Sequence, residues 1–263
     1  MDLQLQNKRS LVTGSTAGIG FAIAEALARE GASVIINGRS QQSVDDAVDR
    51  LRSKVDGTLT GFAGDLARED VAEKLATEHP DIEILVNSLG IFEPVPFEQI
   101  PDEDWRRFFE INVLSGVRLS RLYLPGMKQR NWGRILFISS ESGVQIPPEM
   151  IHYGMTKAAQ IAIARGLAES VAGTGITVNS VLPGPTRSRG VVEFVGRLAK
   201  EKGKTLDEFE TGFVEEMRPS SIIKRFATTE EVASLVTYIA SPLASATTGA
   251  ALRVDGGVIR SAF

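Results

Sequence analysis

The chain has 263 residues, 43% hydrophobic and 24% charged, with a net charge of −4, so its composition gives no basis for binding nucleic acid or an anionic membrane. It has no cysteine, which excludes disulfides and cysteine metal sites, and with two histidines, His79 and His152, we expect no metal centre. The first nine residues are polar and no apolar run approaches the roughly 18 residues of a membrane span, so we expect a cytoplasmic protein.

The chain opens with a strand, a glycine-rich turn and a helix. Ser10–Val12 is a short apolar strand, and the helix is predicted from about Phe21 to Glu30. Between them the sequence TGSTAGIG carries a G-x-x-x-G-x-G pattern. Glycines let the backbone approach a pyrophosphate, and the helix N-terminus favours its charge. The pattern predicts a dinucleotide-binding turn, although a tight turn that merely requires glycine would use the same residues.

The second strand, Ser33–Asn37, indicates which dinucleotide is bound. An acidic residue at its end would bond the 2′-hydroxyl of an adenosine ribose, whereas an arginine can pair with a 2′-phosphate. Gly38 stands at the acidic position and Arg39 follows it. This favours NADP(H), with NAD(H) as the alternative. A solvated surface arginine is the competing interpretation of Arg39.

Polar residues also follow the next two strands. Thr58–Ala63 leads to Asp65 and Leu66, which we interpret as an adenine contact or, equally, as a cap for the following helix. The strand Glu83–Val86 ends in the sequence NSLG at residues 87–90. Helices are predicted between these strands at residues 41–53 and 68–77.

A longer helical pattern runs from Asp102 to Lys128, with Asn112 among apolar neighbours. A buried asparagine needs hydrogen-bond partners. Asn112 is therefore either a structural hydrogen-bonding residue or part of a proton relay.

The fifth strand, Arg134–Ser139, delivers Ser140 to its carboxyl end. The alanine-rich run from Tyr153 to about Ala172 is predicted to be helical, which stacks Tyr153 and Lys157 one turn apart. A phenol with a reference pKa of about 10 is a poor base alone, and a neighbouring ammonium lowers that pKa. The phenol, the ammonium and a serine hydroxyl together form a proton-handling group for a carbonyl/alcohol pair. A surface Tyr and Lys on an amphipathic helix would show the same spacing.

The C-terminal part completes the alternation of strands and helices. Ile176–Leu182 and Ala251–Val254 are the sixth and seventh strands, and Thr228–Ala240 is an amphipathic helix. The charged segment Arg187–Arg218 is predicted to form a lid over the site or surface decoration. The pattern predicts a single α/β domain over residues 1–263. Its fold is expected to be Rossmann-like and doubly wound, with a seven-stranded parallel sheet flanked by helices. Residues 185–225 are predicted to form the lid insertion.

Several of these motifs occur in an order that resembles the short-chain dehydrogenase/reductase family, including its 3-oxoacyl-carrier-protein reductases. The resemblance covers nearly the whole chain. It rests on TGSTAGIG at 13–20, Asp65, NSLG at 87–90, Asn112, Ser140, YGMTK at 153–157, Pro183-Gly184 and DGG at 255–257.

This resemblance implies roles for four residues. Tyr153 would be the general acid or base, Ser140 would orient the substrate oxygen, and Lys157 would lower the tyrosine pKa and bind the nicotinamide ribose. Asn112 would bend its helix and hold a water that links Lys157 to solvent. The cofactor-binding residues would be Gly14, Ser15, Thr16, Gly18, Ile19, Gly20, Arg39, Asp65, Leu66, Asn87, Gly90, Tyr153, Lys157, Pro183, Gly184 and Thr186.

Two departures from the family pattern stand out. NSLG replaces the usual Asn-Asn-Ala-Gly, although Asn87 and Gly90 are kept, so we expect strand anchoring to survive. The turn at Ser15–Ala17 lacks the extra basic residue of many NADP-dependent members, which leaves Arg39 as the main indication of NADP(H).

We expect an NADP(H)-dependent oxidoreductase for a small carbonyl/alcohol substrate, active as a homotetramer or dimer. The alternatives are a catalytically silent nucleotide-binding scaffold and an NAD-dependent sugar or polyol dehydrogenase. His152 is interpreted as pocket wall or polar substrate contact, and Arg187, Arg189 and Arg197 as a candidate acyl-carrier patch. The expected apolar pocket residues are Phe92, Val144, Ile146, Pro147, Met150, Ile151 and Val191–Val195.

Overall fold

The computed structural model describes residues 1–188, 190 and 205–262. Their core is a 7-stranded sheet in which every strand pair is parallel. The strands are β1 Arg9–Val12, β2 Ser33–Gly38, β3 Leu59–Ala63, β4 Ile84–Asn87, β5 Gly133–Ile138, β6 Ile176–Pro183 and β7 Ala251–Val254. The α-helices are α1 Gly18–Arg29, α2 Gln41–Arg52, α3 Glu69–Glu78, α4 Asp102–Phe109, α5 Ser115–Arg130, α6 Ile151–Ser170, α7 Leu206–Met217 and α8 Thr229–Ala240.

Both faces of the sheet are covered by helices, so the central strands are buried throughout. Every residue of β5 and β6 is buried. Side chains alternate between the two faces. Leu136 of β5 packs in the cluster formed with α1, α2 and α8, whereas its neighbour Ile135 packs in the cluster formed with α3, α5 and α6. This confirms the predicted doubly wound α/β fold.

The strand order is β3-β2-β1-β4-β5-β6-β7, so the chain winds outward from β1 and then returns to its other side at β4. Because the strands are parallel, their carboxyl ends share one edge of the sheet. The helices that follow β1 and β4 lie on opposite sides of this reversal and leave a crevice there. The glycine turn after β1 and the NSLG segment after β4 both lie at this crevice.

The helical pattern predicted from Asp102 to Lys128 is divided in the structure, at the residue that the family resemblance expected to bend it. A π-helical turn, Glu110–Leu114, separates α4 from α5 and contains the buried Asn112. The turn inserts an extra residue into the helix and releases backbone groups from the regular ladder. One of them is the Asn112 carbonyl, which accepts a hydrogen bond from the Gln160 side chain at 2.6 Å.

The segment predicted as a lid is described in part. Its α7 begins at Leu206, and Thr186 forms a parallel β-bridge with Ala227, which joins the two ends of the segment. Arg189, Arg197 and Val191–Val195 lie outside the described residues. In the part of the chain that is described, no helix has the length and apolar character needed to cross a membrane.

Leu27 tests how strongly the packing of α1 against α8 holds the fold together. Its side chain is fully buried between these helices and the sheet. We expect Leu27→Ala to lower the free energy of unfolding by about 2–5 kcal/mol, because it leaves a cavity in a close-packed core. Urea denaturation monitored by circular dichroism measures this change. Leu243→Ala, at a position that is 41% exposed, is the control and is expected to change it by less than about 0.5 kcal/mol.

Candidate active site

The glycine turn has the conformation that its sequence predicts. Gly14 and Gly18 have φ of +62° and +59°, in the left-handed region where a side chain is strained. A Cβ on Gly20 would lie 2.5 Å from the Gly14 carbonyl oxygen, so the third glycine allows α1 to pack closely on the turn. The first amides of α1 point out of the helix without intrahelical partners, which suits them to bind an anion.

Two buried side chains that the sequence analysis did not single out hold this turn in place. Asn37 Oδ1 accepts a hydrogen bond from the Gly14 amide at 3.2 Å, and its Nδ2 donates to the Phe62 and Gly64 carbonyls. Thr13 Oγ1 accepts from the amides of both Ser88 and Leu89 at 2.9 Å. These contacts use backbone amides of the NSLG segment, so the anchoring does not depend on the usual Asn-Ala side chains.

The proposed catalytic residues come together at the carboxyl end of β5. Ser140 follows this strand, and Tyr153 and Lys157 lie one turn apart on α6. Ser139 Oγ donates to the Lys157 carbonyl at 2.8 Å and so ties α6 to the strand end. The Tyr153 phenol lies close enough to the Ser140 hydroxyl for that hydroxyl to lower the phenol pKa. The structure thus brings three of the four predicted catalytic side chains to the wall of one cavity.

Lys157 is held by two acceptors inside the protein. Its Nζ donates to the Ile138 carbonyl at 2.9 Å and to Gln160 Oε1 at 3.1 Å. Gln160 Nε2 in turn donates to the Asn112 carbonyl, so the Gln160 amide bridges the lysine to the π-helical turn. Gln160 therefore takes up one lone pair of the carbonyl of Asn112, the residue that was expected to hold a water. The i,i+3 spacing from Lys157 was the available sequence signal.

Asn112 itself acts as a brace rather than as a cavity residue. Its Oδ1 accepts from the Ile91 amide at 2.8 Å, and its Nδ2 donates to the Ile91 carbonyl and to Thr156 Oγ1, each at 3.0 Å. The side chain thus joins the segment after β4 to α6. The sequence left open whether Asn112 is a structural hydrogen-bonding residue or part of a proton relay. These contacts favour the structural role.

The expected lowering of the Tyr153 pKa by Lys157 is not seen in the free protein. Burial raises the pKa of Tyr153, and the Glu141 carboxylate raises it further, while the Ser140 hydrogen bond and Arg218 act in the opposite direction. Burial lowers the pKa of Lys157 to about 7. The lysine is therefore only partly charged at neutral pH, which weakens its pull on the phenol.

A cavity of about 820 Å³ connects the glycine turn to Tyr153. The cofactor-binding residues of the sequence prediction that line it are Gly14, Gly18, Ile19, Gly20, Arg39, Gly90, Tyr153, Lys157, Pro183, Gly184 and Thr186. Thr16 lies beside a smaller depression next to α2. Of the expected apolar pocket residues, Phe92 and Met150 contribute to the lining, whereas Val144 and Ile146 are 52% and 47% exposed outside it.

Other predicted site residues turn away from this cavity. The Ser15 hydroxyl donates to the Val12 carbonyl, and Leu66 is buried in the core. Asp65 accepts from the Ala67 amide at 3.1 Å, as a loop-capping residue does. Asn87 is buried, with its Oδ1 lacking a partner in the described structure. His152 is fully buried against the Phe108 ring, so it is not a cavity residue.

Three charged residues beside Ser140 were not predicted as a group. Glu141, next to Ser140, is buried and accepts from Arg218 Nε at 2.8 Å, and Arg218 Nη1 also donates to Glu149 at 3.2 Å. All three line the cavity. A buried acid in the catalytic loop does require a cationic partner. The sequence carries no signal that this partner is Arg218.

The chain matches the family model described as enoyl-(acyl carrier protein) reductase over residues 14–259. It is 48% identical to the uncharacterized oxidoreductase YvaG of Bacillus subtilis over 100% of both chains. It belongs to the short-chain dehydrogenase/reductase family. D-beta-hydroxybutyrate dehydrogenase of Cupriavidus necator is 33% identical, covering 96% of this chain and 98% of that relative. The solved structure of L-sorbose reductase from Gluconobacter frateurii, complexed with NADPH and L-sorbose, has a TM-score of 0.93 and 31% identity, covering 99% of this chain and 100% of that one.

Membership of the short-chain dehydrogenase/reductase family confirms the family resemblance and makes the chain an oxidoreductase by family. The match spans the glycine turn, the Ser140 loop and α6. Similarity at this level carries the fold and the broad class of chemistry. The roles of individual residues rest on the geometry above.

Lys157 gives the site a measurable pH dependence. Its pKa is about 7 in the folded protein and about 10.4 when unfolded, so between these values the unfolded chain binds the extra proton. We expect the free energy of unfolding to rise from pH 7 towards pH 10, and this contribution to be absent in Lys157→Met. Urea titrations of both proteins across this range measure the difference. Lys74→Met, at a side chain 65% exposed, serves as the control, and parallel curves for wild type and Lys157→Met would contradict the assignment.

Proposed function

We propose that this protein is an NADP(H)-dependent oxidoreductase that interconverts a carbonyl and an alcohol, with Tyr153 as general acid/base. The observation that carries the proposal is the arrangement of one cavity. A phenol, a serine hydroxyl and a lysine amine share its wall with a glycine turn at a helix N-terminus. This combination suits hydride chemistry, in which a proton and a hydride must reach adjacent atoms.

The residues around the cavity fit a nicotinamide dinucleotide. The turn from Gly14 to Gly20 would hold the pyrophosphate, because it combines close backbone approach with the partial positive charge of the α1 N-terminus. Pro183, Gly184 and Thr186 would flank the nicotinamide. A Cβ on Gly184 would lie 2.5 Å from the Asp255 carbonyl oxygen, so glycine is required for this close packing. When bound, the nicotinamide supplies or accepts the hydride.

The end of β2 supports NADP(H) rather than NAD(H). A Cβ on Gly38 would lie 2.4 Å from Thr16 Cγ2, so an acidic side chain there would require Thr16 to move. Arg39 lines the cavity, is exposed, and forms no ion pair with another described residue. It is therefore available for a 2′-phosphate, to which a guanidinium donates charge-assisted hydrogen bonds.

Proton handling follows from the side chains of β5 and α6. In reduction, the Tyr153 phenol gives its proton to the substrate oxygen as that oxygen gains negative charge, and in oxidation the phenolate takes the proton back. Ser140 orients the oxygen beside the phenol. Lys157 in its charged form stabilises the phenolate. Ser140 and Lys157 are buried, and burial strengthens each of these electrostatic effects.

A catalytically silent scaffold is the weaker alternative, because Ser140, Tyr153 and Lys157 are all kept and line one cavity. An NAD-dependent sugar or polyol dehydrogenase would use a different cofactor. Gly38 and Arg39 at the end of β2 disfavour NAD(H). L-sorbose and beta-hydroxybutyrate, which the names of the relatives mention, are both small molecules with a carbonyl or hydroxyl group. They support a small carbonyl/alcohol substrate here.

We further propose that residues 185–225 act as a lid over the substrate. Pro185, Ser188, Phe213 and Met217 of this segment line the cavity, which supports the proposal. A homotetramer or a dimer in the cytoplasm is also proposed. In support, β7 is a sheet edge with Ala251 and Arg253 exposed, and such edges are commonly covered by another chain.

Tyr153→Phe tests the proposed general acid/base. We expect kcat to fall by about 10²- to 10⁴-fold, because the phenyl ring keeps the shape of the site but carries no exchangeable proton. NADPH oxidation at 340 nm with a panel of ketones and aldehydes measures kcat, and calorimetry is expected to show unchanged NADPH binding. Tyr238→Phe, at a position 39% exposed, is the matched control. Full activity in Tyr153→Phe would eliminate the mechanism.

Arg39→Leu tests the cofactor assignment. Loss of a charge-assisted phosphate contact is expected to raise the Kd for NADPH about 10- to 100-fold and leave the Kd for NADH within about twofold. Titration calorimetry with both cofactors measures the two constants. Arg52→Gln, which removes an exposed arginine on α2, is the control. An equal loss for both cofactors, or none for NADPH, would refute the 2′-phosphate role.

A further inference from the structure

Glu141 makes an unusual set of contacts for a residue next to the catalytic serine. Its Oε2 accepts from Ser140 Oγ at 2.5 Å, from the Ser142 amide at 2.6 Å and from Ser142 Oγ at 2.9 Å. The Ser142 amide can only donate, so Oε2 is an acceptor in this cluster. Ser140 has a single hydroxyl proton, and in the free protein it donates this proton in a hydrogen bond to Glu141 Oε2.

Arg218 supplies the opposite charge from a distant part of the chain. Its Nε donates to Glu141 Oε1 at 2.8 Å, and both side chains are nearly fully buried, at 7% and 5% exposure. Its Nη1 also donates to the Met217 carbonyl at 2.8 Å. Arg218 directly follows α7. The ion pair therefore joins the end of α7 to the loop that carries Ser140.

These contacts determine which way the Ser140 hydroxyl faces. With its proton directed at Glu141, Ser140 Oγ keeps its lone pairs for donors, and one of them accepts from the Ser142 amide at 3.1 Å. The Tyr153 phenol lies beside this hydroxyl on the wall of the same cavity. The charged groups that face this phenol are Glu141 from the loop after β5, Arg218 from the end of α7 and Lys157 from α6. The carboxylate disfavours the phenolate, and Arg218 favours it.

We propose that Glu141 is a positioning residue that holds the Ser140 hydroxyl, and that Arg218 makes this placement depend on α7 lying against the catalytic loop. The proposal rests on the oxidoreductase function proposed above. Glu141 acts through Ser140 and need not touch the substrate. Glu141 and Arg218 would thus be positioning residues, in addition to the four catalytic residues predicted from the sequence.

The test replaces each charge and follows alcohol oxidation against pH. Glu141→Gln is expected to lower kcat about 10- to 100-fold, the range expected for a lost hydrogen bond to a charged group, with the KM for the cofactor unchanged. It removes a negative charge beside the phenol, so the rise of kcat with pH is expected at lower pH than in wild type. Arg218→Gln removes a positive charge and is expected to move this rise to higher pH.

A lone buried charge can prevent folding, so the double variant Glu141→Gln/Arg218→Gln is measured as well. We expect it to unfold cooperatively and to show the rise in kcat close to the wild-type pH. Glu78→Gln, which removes an exposed partner of Lys74, is the control for a simple loss of charge. Unchanged kcat and pH profile in folded Glu141→Gln would overturn the proposal. Equal losses of kcat in both single variants, with no movement of the profile, would also overturn it.

A second measurement separates this proposal from the proposed function. If the wild-type protein fails to reduce any carbonyl, the oxidoreductase function fails, but the Ser140–Glu141 contact can still be tested by urea unfolding. Ser140→Ala and Glu141→Gln are expected to be non-additive, so that the second change lowers the midpoint much less once the first is made. Additive midpoints would show that Glu141 does not hold Ser140.

Discussion

The site depends on one contact between a strand end and the helix that follows it. Lys157 Nζ donates to the carbonyl of Ile138, the last residue of β5. This bond fixes α6 at the carboxyl edge of the sheet, so Tyr153 lies beside Ser140. A buried amine needs such acceptors, because desolvation otherwise forces it to lose its charge. Burial still lowers the pKa of Lys157 to about 7, so the lysine is only partly charged at neutral pH.

The same region is braced from two sides by polar side chains. Asn112 and Gln160 join the π-helical turn to α6, and the Glu141–Arg218 pair joins α7 to the catalytic loop. Each brace satisfies buried polar groups that would be costly if unpaired. The two differ in what they connect. The first links elements of the central fold, whereas the second links the catalytic loop to the segment proposed as a lid.

Some sequence interpretations failed for geometric reasons. His152 was grouped with the pocket because it precedes Tyr153, but successive residues on a helix point about 100° apart. Its ring instead packs 4.0 Å from the Phe108 ring. The local sequence shows no proline or glycine at the break at residues 110–114, so only the family resemblance implied a bend at Asn112. The break instead accompanies hydrogen bonds that Asn112 makes to Ile91 and Thr156, both distant along the chain.

The sequence by itself determined the seven parallel strands, the glycine turn and the spacing of Tyr153 and Lys157. Apolar periodicity, glycine conformation and helical repeat are local properties, so they can be recognised without knowledge of the rest of the chain. Only the tertiary structure decided that Arg218 neutralises Glu141. These residues are 77 positions apart, and no sequence pattern connects them. A buried carboxylate requires a cation, but the path of the backbone through space determines which cation reaches it.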